Sequence, residues 1–157
     1  MFKLLSVLIT GALPILEIRG AIPLGVGVYD LPLPLVFTLG FVGNIIPVLI
    51  LLWGLDPFLR LIRRWSHLWW LDQFITATLN FSHRQHSRHF EKWGNLALFV
   101  FVALPLPGTG GWTGAILAYL FGFSFGFALL SIALGIIVAG AVISVITLGG
   151  VGIAGLL

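Results

Sequence analysis

The sequence predicts an all-α integral membrane protein. Its expected architecture is an inverted repeat of a re-entrant helical hairpin plus a transmembrane helix, with an interfacial amphipathic linker between the halves. Three observations predict this. Hydrophobic residues make up 59% of the 157 residues and charged residues 8%. A soluble domain carries roughly 25% charged residues, so this chain cannot cover a water-facing surface. Two long apolar segments read as ordinary spans, the first carrying Asn44 and Pro47, while two others are broken by proline, glycine and charge. The order is broken, unbroken, basic linker, broken, unbroken.

The first broken segment is 2–28. Its apolar run is interrupted by Gly11, Pro14, Glu17, Arg19, Gly20 and Pro23. Lys3 followed by an apolar run has the outline of a signal peptide. A small-residue cleavage site is missing, however, and Pro14, Glu17 and Arg19 follow at once, so the segment is expected to remain as a hairpin. The span at 31–53 exceeds the ~20 residues needed to cross the hydrocarbon. The linker, 54–93, holds six of the eight Lys/Arg, together with Trp65, Trp69, Trp70 and Trp93. Arginine with tryptophan marks a helix lying in the interface, and the positive-inside rule puts the linker in the cytoplasm. The second hairpin, 94–122, is broken by Pro105, Pro107 and a run of glycines, and the second span is 123–148. The whole chain, 1–157, reads as one membrane domain, with repeats at 1–53 and 94–148.

Letters support the repeat. Ala12-Leu13-Pro14 matches Ala103-Leu104-Pro105, 91 residues apart. Gly20-Ala21-Ile22 matches Gly114-Ala115-Ile116 at 94, and Leu39-Gly40 matches Leu134-Gly135 at 95. Each arm of a broken segment is ~13 residues, about 20 Å of helix, which is too short to cross. A hairpin that enters and leaves on one face, followed by one crossing, inverts the next unit. Broken backbone at membrane depth must pack in protein or line a polar cavity, so the two tips are expected to meet. The competing reading is four kinked but complete spans, since proline and glycine are common in membrane helices.

Glu17 and Arg19 are the sharpest chemical signal. Each charge at mid-bilayer costs ~2.5–3.5 kcal/mol on insertion scales, and such residues mark transport paths. Glu17 is the candidate proton site and Arg19 the candidate ligand for an anionic head. A structural pair holding the tip is the alternative. Gly20 and Pro23 complete that tip. In the second hairpin, Pro105, Pro107, Gly108, Thr109, Gly110, Trp112 and Thr113 form a tip whose free N–H groups could face an anion. Such residues also simply end and start helices. Asn44 could line the cavity, although packing is the ordinary role of an intramembrane amide. His83, His86 and His89 have cationic neighbours and read as a solvated face rather than a metal site. No cofactor is expected, and no Ser–His or paired-Asp arrangement suggests an enzyme.

At "LEIRGAIPLG" and "PLPGTGGWTGA" the sequence resembles the small multi-drug export protein family, which is related to the DedA, or VTT-domain, membrane proteins. The resemblance implies two oppositely oriented re-entrant hairpins and kinship with carriers of lipid-linked phosphates. It matches Glu17 to the acidic residue of the DedA first hairpin. DedA proteins also carry arginines on the second hairpin, where this chain has none.

The functional expectation is transport or flipping of a small anionic amphiphile or lipid-linked phosphate, coupled to protons, in a prokaryotic inner membrane. Export of cationic drugs and a non-transport assembly role are the alternatives. Expected partners are membrane lipids, with anionic headgroups at the basic linker. No soluble basic domain exists to carry nucleic acid. Two copies could dimerise to seal the cavity.

Overall fold

The computed structural model describes the backbone of residues 1–65, 88–106 and 108–154, and the side chains of 1–55, 93–106 and 108–150. Every element among them is helical. In chain order these are α1 (Phe2–Ala12), α2 (Glu17–Ile22) with a π-helical continuation (Pro23–Val28), α3 (Leu33–Trp65), α4 (Arg88–Ala103), α5 (Gly111–Leu120) and α6 (Phe125–Ala154). Each half therefore runs short, short, long.

Proline decides where the first arm of each half stops. A residue that precedes proline is pushed out of the α region by the ring. Leu13, before Pro14, takes φ −72° and ψ 136°, and α1 stops at Ala12. Leu104 precedes Pro105, and α4 stops at Ala103. The two matching Ala-Leu-Pro triplets thus end the same element in each half. Pro23 acts differently. It lacks an N–H, yet the helix continues past it by widening to π turns, with Tyr29 N–H donating to the Leu24 carbonyl at 3.1 Å. At the far end of α5, Gly122 adopts φ 67°. The Phe123 and Gly122 N–H groups bond back to Ala118 at 2.9 Å and Tyr119 at 3.0 Å, the glycine-dependent stop of a Schellman motif.

Two segments are long and apolar enough to cross a bilayer, Leu33–Leu55 in α3 and Phe125–Gly150 in α6. The first begins two residues later than the sequence indicates, because the Pro32 carbonyl accepts the first helical bonds, from Leu35 and Val36. The helical backbone of α3 also runs past the expected end at Trp53 to Trp65, and Pro47 does not end it.

The packing is that of a membrane protein. Along α3 the buried face carries Val36, Gly40, Gly43, Asn44, Pro47 and Val48, whereas Val42, Ile46, Leu49, Ile50 and Trp53 face outward. Small residues inside and large apolar ones outside suit lipid, where close van der Waals fit drives helix association. Helix α1 lies on α3 so closely that a Cβ on Gly11 would stand 2.7 Å from the Gly40 carbonyl oxygen. Helix α4 lies on α6, where a Cβ on Gly135 would stand 2.7 Å from Val102 Cβ. These are equivalent pairs: Gly11 and Val102 are 91 apart, and Gly40 and Gly135 are 95 apart, the same offsets as the matching letters. Helices α2 and α5 each pack against both long helices. This brings the start of α2 against the start of α5.

Candidate functional site

Glu17 opens α2, is only 5% exposed, and has φ 52°. A non-glycine residue in the left-handed region costs ~1–3 kcal/mol and persists only when its surroundings fix it. Two contacts fix this one. Its N–H donates to the Leu13 carbonyl at 3.0 Å. Its carboxylate reaches across to the other hairpin, where Trp112 N–H donates to Oε1 at 3.3 Å. Trp112 is the second residue of α5, so Glu17 caps that helix from outside, with its charge at the positive end of the helix dipole. Gly110 must be glycine here for want of space: a Cβ on it would collide with the Glu17 carboxylate. Its own N–H donates to Thr113 Oγ1 at 2.9 Å.

Arg19 grips the other end of the second tip. Its Nε is buried without a partner, but its terminal nitrogens donate to the carbonyl of Val102 in the last turn of α4 (3.4 Å), and to the carbonyls of Leu104 (3.0 Å), Leu106 and Thr109 and to Thr109 Oγ1 at 3.2 Å. Apart from Val102, these groups follow directly on the C-terminus of α4, where carbonyls lack helical partners. Gly108 makes the turn between them with φ 84°. The exchange is reciprocal: the Trp112 indole N–H donates at 3.1 Å to the carbonyl of Ala12, the last residue of α1. Residues two apart on a helix do not face one another. Glu17 and Arg19 accordingly divide the opposite hairpin between them, one at the start of α5 and one at the end of α4.

Asn44 approaches the same place from α3. It is 0% exposed, its amide lies beside the Glu17 carboxylate, and neither amide atom completes a hydrogen bond. A Cβ on Gly111 would stand 2.6 Å from Asn44 Oδ1. Sequence reading did not single out Gly111 or the carbonyl of Ala12. The Gly110-Gly111 doublet was the available signal for the first, and a backbone carbonyl leaves none.

The structure thus brings together Glu17, Arg19, Asn44, Thr109, Gly110, Trp112 and Thr113. Gly20 packs on its own helix, where a Cβ would stand 2.8 Å from Leu16 Cβ. Pro23 is exposed at the start of the π turns, and Pro105 shapes the tip without bonding to the cluster. Pro107, the side chains of residues 56–92, and with them the three histidines and most of the linker lie outside the described residues. Among the described residues no group of three or more His, Cys, Asp or Glu could hold a metal. A separate groove of about 410 Å³ lies at the far end of the α4–α5 pair, between Trp93, Leu98, Phe101, Leu117, Phe121 and Phe123. Its walls are apolar and it shares no residue with the tip.

A chain whose described elements are all helical, with an apolar outer face, two bilayer-length helices and a charged pair held between helix ends, is a membrane protein. The family described as "Putative small multi-drug export protein" matches residues 17–142. The chain belongs to that family. The match carries no relationship to DedA proteins. No curated protein matches the chain, and no solved structure does.

Proposed function

We propose that the protein is a proton-coupled exporter of cationic amphipathic small molecules, in which a proton and the substrate compete for Glu17. The observation that carries this reading is the Glu17 carboxylate, buried among apolar helices, on a left-handed backbone, and held by the N-terminus of α5. An acid kept in such a setting marks a transport path. The family description supports export. The anionic-amphiphile reading draws on Arg19, and the engagement of both its terminal nitrogens by four backbone carbonyls favours a cation instead.

The hairpins belong to the same proposal. Helix α1 has 11 residues and α5 has 10, both short of the ~20 needed to cross. Their shortness supports re-entrant hairpins, and the equivalent glycine contacts support an inverted repeat. The linker then lies on the cytoplasmic side among anionic headgroups, and two copies seal the cavity.

A substrate ammonium would compete with the α5 N-terminus for the one negative charge of this carboxylate. Substrate binding and tip closure therefore oppose each other. A proton on Glu17 removes the charge–dipole attraction, worth ~0.3–1 kcal/mol and up to ~2 kcal/mol in partly buried geometry, and frees the tips to part.

The test is flux in proteoliposomes under an imposed pH gradient. A cationic amphipathic dye should accumulate against its gradient, and Glu17→Gln should abolish the dependence on pH. Flux of an anionic amphiphile with none of the cation would reverse the substrate assignment. Flux no greater than in empty vesicles would leave the tips as packing devices in a non-transport protein.

A further inference from the structure

In the closed tip the Asn44 amide lies against the Glu17 carboxylate without completing a hydrogen bond. The side chain is 0% exposed, yet neither Nδ2 nor Oδ1 has a partner. Native proteins rarely leave a buried amide unbonded, because its lost hydration goes uncompensated. Leucine has the same branched outline and would fill the position without that penalty. The location of Asn44 indicates what the amide is kept for. Oδ1 faces Gly111 at the N-terminus of α5, and the Glu17 carboxylate lies alongside.

An ionised carboxylate only accepts hydrogen bonds, whereas a protonated one has an O–H to donate. In the closed tip Glu17 accepts from Trp112 N–H. Once protonated it becomes a poorer acceptor and gains a donor that needs a buried acceptor nearby. Asn44 Oδ1 is such an acceptor, and it is free. Among the described residues the charged group acting on Glu17 is Arg19, whose two terminal nitrogens are engaged at the end of α4 while its Nε is unbonded. Lys3 on α1 lies instead by Tyr29. Among the residues of α3, α5 and α6 whose side chains are described, none is Asp, Glu, Lys, Arg or His.

We propose that Asn44 is the positioning residue for the protonated state of the carrier. On taking a proton from water, the Glu17 side chain leaves Trp112 N–H and donates its O–H to Asn44 Oδ1. Its attachment passes from α5 to α3, and it returns when the proton leaves. The inference rests on Glu17 being the proton site.

The chain has no cysteine, so cysteines introduced at Ile15 and Leu106, 90% and 53% exposed on the two tips, can carry a unique pair of spin labels. The distance between them in the reconstituted full chain reports tip separation. The labelled parent should shift from a short to a longer distance as the pH is lowered. Asn44→Leu should keep the short distance and a melting temperature at or above the parent's. Its long-distance population at the same acidic pH should fall roughly tenfold, the effect of losing one buried hydrogen bond. A purely structural amide would instead lower the melting temperature and leave the pH response alone. Parental pH-dependent populations in Asn44→Leu would overturn the inference. So would failure of both Asn44→Leu and Asn44→Ala to accumulate. Glu17→Gln separates the two levels of the proposal. A pH-insensitive distance there, with a normal response in Asn44→Leu, sinks the role of Asn44 alone. A parental pH response in Glu17→Gln removes the proton site itself.

Discussion

Replacing Gly110 by alanine adds one methyl group at the point where the hairpins meet. That methyl would collide with the Glu17 carboxylate. The carboxylate cannot retreat freely, because its backbone is already held at φ 52° and α3 stands behind it. Overpacking of this kind costs ~1–3 kcal/mol. Displacing the carboxylate from Trp112 N–H gives up a charge-assisted hydrogen bond worth ~1.5–3 kcal/mol. The sum is about 3 kcal/mol or more, and at ~2–4 °C per kcal/mol for a chain of this size the melting temperature falls by at least roughly 6 °C. Gly108→Ala is the control. It meets strain at φ 84° but has nothing within 4 Å of the new Cβ, so it costs only ~1–2 kcal/mol. Thermal unfolding in detergent measures both. The decisive variant is the double change Gly110→Ala with Glu17→Ala, which removes the colliding group. It should be more stable than the sum of the two single effects allows, a coupling expected only of residues in contact. Additive effects, or a Gly110→Ala protein as stable as the parent, would refute the tip contact.

Trp112→Phe keeps the ring but loses the N–H donated to Ala12, and should cost ~1 kcal/mol in thermal unfolding. Arg19→Lys keeps the charge but loses the planar fork that reaches four carbonyls. It should destabilise measurably, and Arg19→Gln should destabilise further, in the same assay. Single cysteines at residue 2 and near residue 85 should react with an impermeant reagent from opposite faces of the membrane, as the proposed re-entrant hairpins require. Labelling of both from one face would replace the hairpins with complete spans.

The breaks in the helices were legible because proline acts locally. Leu13 and Leu104 leave the α region as the residue before proline must, and the matching letters there mark the same structural event. Glu17 and Arg19 stood out because charge in an apolar segment is costly wherever it sits. Their partners were not legible. Oδ1 of Asn44, the carbonyls after α4 and the N–H of Trp112 lie in other elements, and no local period encodes a contact across 95 residues. The backbone carbonyls that Arg19 meets were equally hidden, since a carbonyl has no letter of its own. The π turns after Pro23 escaped for a further reason. Proline inside a helical run usually signals an end, and only the surrounding packing lets the backbone widen and continue.

The reciprocal capping has a consequence for how the protein is made. When residues 1–55 leave the ribosome, the groups that will cap α1 and engage Glu17 and Arg19 have not been synthesised. The carbonyl of Ala12 has no indole, the Glu17 carboxylate has no amide, and the Arg19 guanidinium has no carbonyls to fill. Backbone and charge left open in hydrocarbon cost several kcal/mol per group. The tip of the first half therefore lacks its partners until the chain reaches Trp112. Helix α3 needs no such partner, since a helix satisfies its own backbone, so the order of assembly expected is crossing by α3 first and closure of the tip last.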